Sequence, residues 1–168
     1  MLADFAGLTE NFLPSRCPTS EACCSPALSP LSRTYPLGLA FSKKKFQVNL
    51  IDINKENINK VNKGIMPFIE DNANKALKES LKKKKIIATN DLLSLKSSKF
   101  IIICIGTPIK KNLKPETKSF LNFFKKLKRH ISEDQIIIIR SSVFPGICKK
   151  VYKILQSKNL NVSYCPER

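Results

Sequence analysis

Phe100-Ile101-Ile102-Ile103-Cys104-Ile105-Gly106-Thr107-Pro108 decides the fold. Six apolar residues run without a break, and Gly106, Thr107 and Pro108 stop them. The run is too short for a buried helix, and isoleucine favours the strand. Apolar at successive positions, it reads as an inner strand of a parallel sheet covered by helices on both faces. Ligands of open parallel sheets bind outside the carboxyl ends of the strands. Gly106 and Thr107 stand at that end, Thr107 with a hydroxyl and a backbone N–H. Taken alone, the stretch reads first as a core strand and a turn. Three other strands that end in the same way change that reading.

Outward from this strand, residues 46–53 alternate into a strand that closes on Asp52. Residues 136–139 are wholly apolar and lead to Arg140, Ser141 and Ser142. Residues 162–164 form a last strand before Cys165-Pro166-Glu167-Arg168, and residues 86–89 a short one. Helical patterns fill the intervals at 36–45, 55–63, 71–84, 116–130 and 145–156, with a short helical turn at 91–95. Gly64 is a good helix stop. Phe120, Phe123, Phe124 and Leu127 make an apolar stripe at helical spacing, which reads as core. Strands alternating with helices predict an α/β fold with a doubly wound parallel sheet.

The chain has 168 residues, enough for one domain with a core, and 42% of them are apolar. Residues 1–33 have another texture: they are rich in Pro, Ser and Cys and contain no lysine. Pro14, Pro18, Pro26 and Pro30 break any regular element there. This head reads as unstructured or foreign to the domain at 34–168. The net charge of +17 suits a polyanion. The lysines are nevertheless scattered over helix surfaces, without the interleaved aromatic residues that stack on bases. No specific nucleic-acid partner is expected. The six cysteines form no Cys-x-x-Cys pair, and His130 is the one histidine, so no metal site is expected. No apolar run approaches a membrane span, and no signal peptide is evident. Reduced thiols in a cytoplasmic protein are expected.

Asp52, at a strand end before a helix, suits two roles equally: a helix cap, or the acceptor for an adenosine ribose. Ser141 and Ser142, with Gly146 opening the next helix, place two hydroxyls near a helix N-terminus, where one is enough for a cap. Glu167 follows another strand end. A lone Glu there is usually solvated, and only its company makes it of interest.

That company resembles a known family. The segments 48–54 (VNLIDIN), 104–108 (CIGTP), 141–146 (SSVFPG) and 164–168 (YCPER) occur in the order and separations of the UDP-glucose/GDP-mannose dehydrogenase family. The resemblance covers roughly Tyr35 to Arg168, the N-terminal NAD-binding domain of that family. It implies a Rossmann-like fold and NAD as cofactor. It also implies oxidation of a nucleotide-sugar C6 alcohol to a carboxylate, as in polysaccharide precursor synthesis. The Pro-Glu-Arg ending resembles the branch acting on UDP-N-acetyl-mannosamine or UDP-N-acetyl-glucosamine. By this resemblance Asp52 holds the adenosine ribose, Gly106 and Thr107 line the pyrophosphate and nicotinamide, and Ser141 and Ser142 contact NAD. Ser142 lies near the reacting carbon, and Glu167 assists proton movement and water attack. A homo-oligomer and a UDP-sugar substrate belong to the full-length family.

Two departures bear on activity. The family's Gly-x-Gly-x-x-Gly loop corresponds to residues 29–34, where Ser29, Leu31 and Thr34 replace the glycines. Without glycine the backbone cannot approach the pyrophosphate closely. The strand before that loop is also missing from the sequence pattern. The sheet is therefore expected to lack its first strand, the slot beside residues 100–105 being empty or filled by a substitute segment. Second, the family's catalytic cysteine and sugar-binding half are not in these residues. Cys104, Cys148 and Cys165 do not align with the nucleophile. The expectation is a fragment that binds NAD poorly and turns nothing over alone. A non-catalytic basic module for nucleotides or nucleic acid is the alternative.

Overall fold

The computed structural model describes residues 2–6, 31–69, 72–106, 117–158 and 160–166. Among these residues the strands are β1 (Leu2–Ala6), β2 (Gln47–Ile51), β3 (Ile86–Thr89), β4 (Phe100–Ile103), β5 (Ile136–Ile139) and β6 (Asn161–Tyr164). The α-helices among these residues are α1 (Leu31–Lys43), α2 (Lys55–Asn62), α3 (Ala73–Lys82), α4 (Thr117–Leu127) and α5 (Ile147–Leu155). One sheet runs in the order β3-β2-β1-β4-β5-β6. This is the doubly wound order of dinucleotide-binding folds.

β4 behaves as its sequence demands. Ile101 and Ile103 enter one core with Phe120, Phe124, Leu127, Ile137 and Val151. Ile102 and Cys104 enter the other with Tyr35, Leu39, Val48, Leu77 and Ile86. Successive side chains of a strand point to opposite faces, so a strand apolar at every position needs cover on both. Residues of α1, α2 and α3 form one core with the sheet, and those of α4 and α5 the other.

The missing first strand has a substitute. β2 pairs in parallel with β3, and β4 with β5, which pairs in parallel with β6. β1 lies between β2 and β4 and is antiparallel to both. The slot expected from the sequence is thus filled from the chain start. Its direction is unusual for this sheet order, and the connectivity explains it. A parallel first strand runs straight into the following helix through a short loop. Here residues 7–30, which lie outside the described residues, separate β1 from α1, so no such loop dictates the strand's direction. Backbone demand supplies the driving force: β2 and β4 each have an inner row of N–H and C=O groups that needs a partner.

Two boundaries differ from the sequence reading. The head at 1–33, which the sequence pattern marks as unstructured or foreign to the domain, contributes β1, and α1 begins at Leu31 rather than Pro36. Pro36 therefore lies inside the helix. It lacks the N–H that the carbonyl four residues back would accept, which is why Pro36 looked like a start. Elsewhere the agreement is close. Gly64 ends the turn after α2 at φ 76°, and a Cβ there would stand 2.7 Å from the Lys78 side chain.

Candidate active site cleft

The carboxyl ends of β2, β4, β5 and β6 lie along one edge of the sheet, because β4, β5 and β6 pair in parallel and β2 and β4 are both antiparallel to β1. Asp52 follows β2 directly and is buried, 6% exposed. Its backbone N–H donates to the Thr89 carbonyl at 3.1 Å, extending the β2–β3 pairing by one residue. Oδ1 accepts the Asn54 N–H at 3.0 Å. Oδ2 accepts from the Tyr35 hydroxyl at 3.2 Å and from Asn57 Nδ2 at 3.3 Å. The cap of α2 is Asn54, whose side chain accepts the N–H of Glu56 at 2.9 Å and of Asn57 at 3.4 Å. Of the two roles open to Asp52 in the sequence, helix cap therefore belongs to Asn54.

Asp52 also borders a cleft of about 320 Å³. Ile51, Leu92, Phe123 and Leu127 supply apolar wall, and Asn90, Ser119 and Lys126 supply polar groups. The volume is at the small end of ligand pockets, roughly 300–1,000 Å³. An apolar cleft with a carboxylate at its edge suits a flat heterocycle joined to a hydroxylated ring. The sequence reading assigned Phe123 to the core with Phe120 and Phe124. Phe120 and Phe124 are buried, whereas Phe123 is part-buried and reaches the cleft. Its offset by one position from the most buried side chains was the available signal. Tyr35 and Asn57 were missed because nothing in their local sequence points to Asp52.

Ser141 is buried, and its hydroxyl is engaged with β4. Oγ accepts the Ile105 N–H at 2.9 Å and donates to the Ile103 carbonyl at 3.4 Å. It therefore ties the end of β5 to the end of β4, a job the sequence reading did not foresee for it. Ser142 is exposed at the same edge, as is Gly106. Gly146 caps α5 at φ 83°, with open space where a Cβ would stand. Thr107 and Glu167 lie outside the described residues. Cys104 is buried, Cys148 part-buried and Cys165 exposed, and burial pushes the Cys148 thiol upward. Among the described residues, no group of three or more His, Cys, Asp or Glu is placed to hold a metal ion. Nor does any helix among them have the length and apolarity to cross a membrane.

Of the glycine-loop positions, 31 and 34 fall among the described residues and 29 lies outside them. Leu31 is the first residue of α1, and Thr34 is fully buried inside it. A helix carrying side chains thus stands where a glycine loop would let the backbone reach a pyrophosphate. A buried carboxylate beside an apolar cleft is what an adenosine ribose requires, and among the described residues loop positions 31 and 34 carry no glycine to admit a pyrophosphate.

Tyr35 gives the site a pH signature. Burial, then the Asp52 charge, then the hydrogen bond to it, raise its phenol above the ordinary range. Between the unfolded value near pH 10 and the raised folded one, the native state holds more protons than the unfolded state. Stability therefore falls with pH there, by up to about 1.4 kcal/mol per unit. The contribution is complete below about pH 10 and is lost above it. Lysines titrate nearby, so the comparison is with Tyr35→Phe. Urea midpoints of the two proteins should converge as pH rises from 9 to 11. Parallel curves over that range would rule out the bond.

Comparison with known proteins gives a consistent picture. The profile of the UDP-glucose/GDP-mannose dehydrogenase family, NAD binding domain, matches residues 35–168. UDP-glucose 6-dehydrogenase of Rickettsia felis is 32% identical over 123 residues, 71% of this chain and 28% of that protein. UDP-N-acetyl-D-mannosamine dehydrogenase of Pyrococcus horikoshii is 27% identical over 140 residues, 79% of this chain and 33% of that protein. The solved UDP-D-ManNAc dehydrogenase of Pyrococcus horikoshii superposes with a TM-score of 0.70 at 26% identity, covering 79% of this chain and 33% of that one. GDP-mannose dehydrogenase from Pseudomonas aeruginosa superposes with a TM-score of 0.71 at 21% identity, over 80% of this chain and 34% of that one. That last likeness shows the fold alone. The chain spans about a third of the length of these relatives.

Proposed function

The chain belongs to the UDP-glucose/GDP-mannose dehydrogenase family as its NAD-binding domain, and from that premise we propose that its cleft takes the adenosine end of NAD, with Asp52 receiving a ribose hydroxyl. The observation that carries this is a buried carboxylate at the carboxyl end of β2, on the rim of an apolar cleft. NAD supplies hydride transfer when bound. The chain's own residues supply position: Asn54, Asn57 and Tyr35 orient the carboxylate, and Ser141 holds the β4 and β5 ends together. Gly106 and Ser142, exposed at the same sheet edge, would face the nicotinamide, and the family resemblance gives Thr107 a cofactor contact and Glu167 the acid–base role.

The two relatives named above are a UDP-glucose 6-dehydrogenase and a UDP-N-acetyl-D-mannosamine dehydrogenase. We infer oxidation of a UDP-sugar C6 alcohol for the whole enzyme, as a cytoplasmic homo-oligomer with no specific nucleic-acid partner. These 168 residues correspond to the cofactor half of such an enzyme. Residues 34–168 carry the candidate cofactor site, and β1 from the chain start completes the sheet beneath it.

Affinity tests the adenosine assignment. With the pyrophosphate unsupported by backbone N–H groups, NAD gains little over adenosine. Calorimetry at about 1 M salt, where the net charge no longer draws phosphates in, should give dissociation constants of about 1 mM for both, within about threefold of each other, where 1 mM corresponds to about 4 kcal/mol. Micromolar NAD with millimolar adenosine would show that other residues cradle the phosphates.

A further inference from the structure

Asp52 carries more donors than a carboxylate can hold while also receiving a ribose diol. An ionised carboxylate offers about four acceptor positions, roughly two on each oxygen. Oδ2 is filled by the Tyr35 hydroxyl and Asn57 Nδ2, at 3.2 and 3.3 Å. Oδ1 has accepted the Asn54 N–H at 3.0 Å, which leaves a single position on that oxygen. A ribose presents two neighbouring hydroxyls, and a carboxylate facing both takes a bond from each. We propose that the Tyr35 phenol uses the acceptor position a second ribose hydroxyl needs, making Tyr35 a specificity-determining positioning residue that limits the site to one ribose contact.

The proposal rests on the adenosine reading of the cleft and goes beyond it. Tyr35 is held in place: it is 1% exposed, in a core with Leu39, Val48 and Leu50, and its ring centroid lies 6.1 Å from that of Phe68. The phenol can turn only about its own C–O bond, so a ligand cannot push it aside without opening that core. It follows Thr34 directly, the residue standing in the place of the last loop glycine. The segment that lost its room for a pyrophosphate thus also directs a donor at the ribose acceptor. Tyr35→Phe removes the donor, leaves no new unpaired group on the tyrosine side, and frees one position on Oδ2.

The test uses neutral nucleosides, because a chain of net charge +17 attracts any phosphate. Adenosine and 2′-deoxyadenosine are titrated into the full chain and into Tyr35→Phe, with binding read from NMR shifts. In the unaltered chain either hydroxyl can use the one open position, so the two nucleosides should bind within about twofold of each other. In Tyr35→Phe adenosine should bind roughly ten- to a hundredfold more tightly, the worth of one hydrogen bond to a charged acceptor, while 2′-deoxyadenosine is unchanged. If Tyr35→Phe does not fold, Asn57→Ala frees the neighbouring position and should widen the same ratio. Binding with an unaltered ratio overturns the proposal and leaves the adenosine reading standing. A change shared by both nucleosides is a packing effect and also overturns it. No binding of either nucleoside to either protein overturns the proposal and the adenosine reading together.

Discussion

Removing residues 1–6 should abolish the cooperative unfolding transition and leave a protein that self-associates. The sheet order places β1 between β2 and β4, which make no strand pairing with each other. Five residues of β1 pair with β2, and four of them also pair with β4. Without β1 the sheet divides into a two-stranded piece, β3-β2, and a three-stranded piece, β4-β5-β6. A two-stranded piece is marginal by itself in water. Each piece then shows an open inner edge, and that of β4 is flanked by the buried Ile101, Ile102 and Ile103. Unpaired apolar edges recruit strands from other chains. The measurement is far-UV circular dichroism during urea titration, with size-exclusion chromatography at rising concentration. A chain lacking residues 1–6 that stays monomeric and unfolds sharply at an unchanged midpoint would show that β1 is dispensable. β2 and β4 would then have to close on each other or on another segment.

Asp52→Ala should cost about 2–6 kcal/mol of stability, because it strands buried donors. Tyr35 is 1% exposed and Asn57 7%, and both lose their acceptor. An unsatisfied buried donor costs about 1–3 kcal/mol, and two are left behind. The exposed Asn54 N–H, the third donor, can turn to water. Asp52→Asn keeps the shape and one acceptor oxygen, so it should lose less. A double-mutant cycle isolates the bond: with Tyr35 already Phe, Asp52→Ala should lose at least about 1 kcal/mol less than in the unaltered chain. Urea denaturation at pH 7 reads all four proteins. A loss below about 0.5 kcal/mol for Asp52→Ala would mean that the carboxylate is hydrated and the donors find other partners.

These expectations depend on two features that differ in how far the sequence announced them. The doubly wound sheet was legible because its strands advertise themselves: β4 and β5 are unbroken isoleucine-rich runs ended by Gly or Ser, and β3 and β5 fall on the residues expected. The helices were legible from their stripes, as with Phe120, Phe124 and Leu127. Asp52 was legible as a strand-end acid. Its burial was not, since that depends on Tyr35, seventeen positions earlier, and Asn57, five positions later.

Local pattern determined the element types, the strand that anchors the fold, the family, and the loss of the glycine loop. Hydrophobic periodicity and turn residues act within a few positions of the chain, so they can be read there. Tertiary structure alone decided what fills the central slot, which donors saturate Asp52, that Ser141 joins two strand ends, and that Phe123 faces a cleft. Leu2-Ala3-Asp4-Phe5-Ala6 is short and carries an acid, and nothing in it marks an inner strand. It becomes one because β2 and β4 leave two rows of backbone groups that must be paired, and that demand exists only once the rest of the sheet has formed.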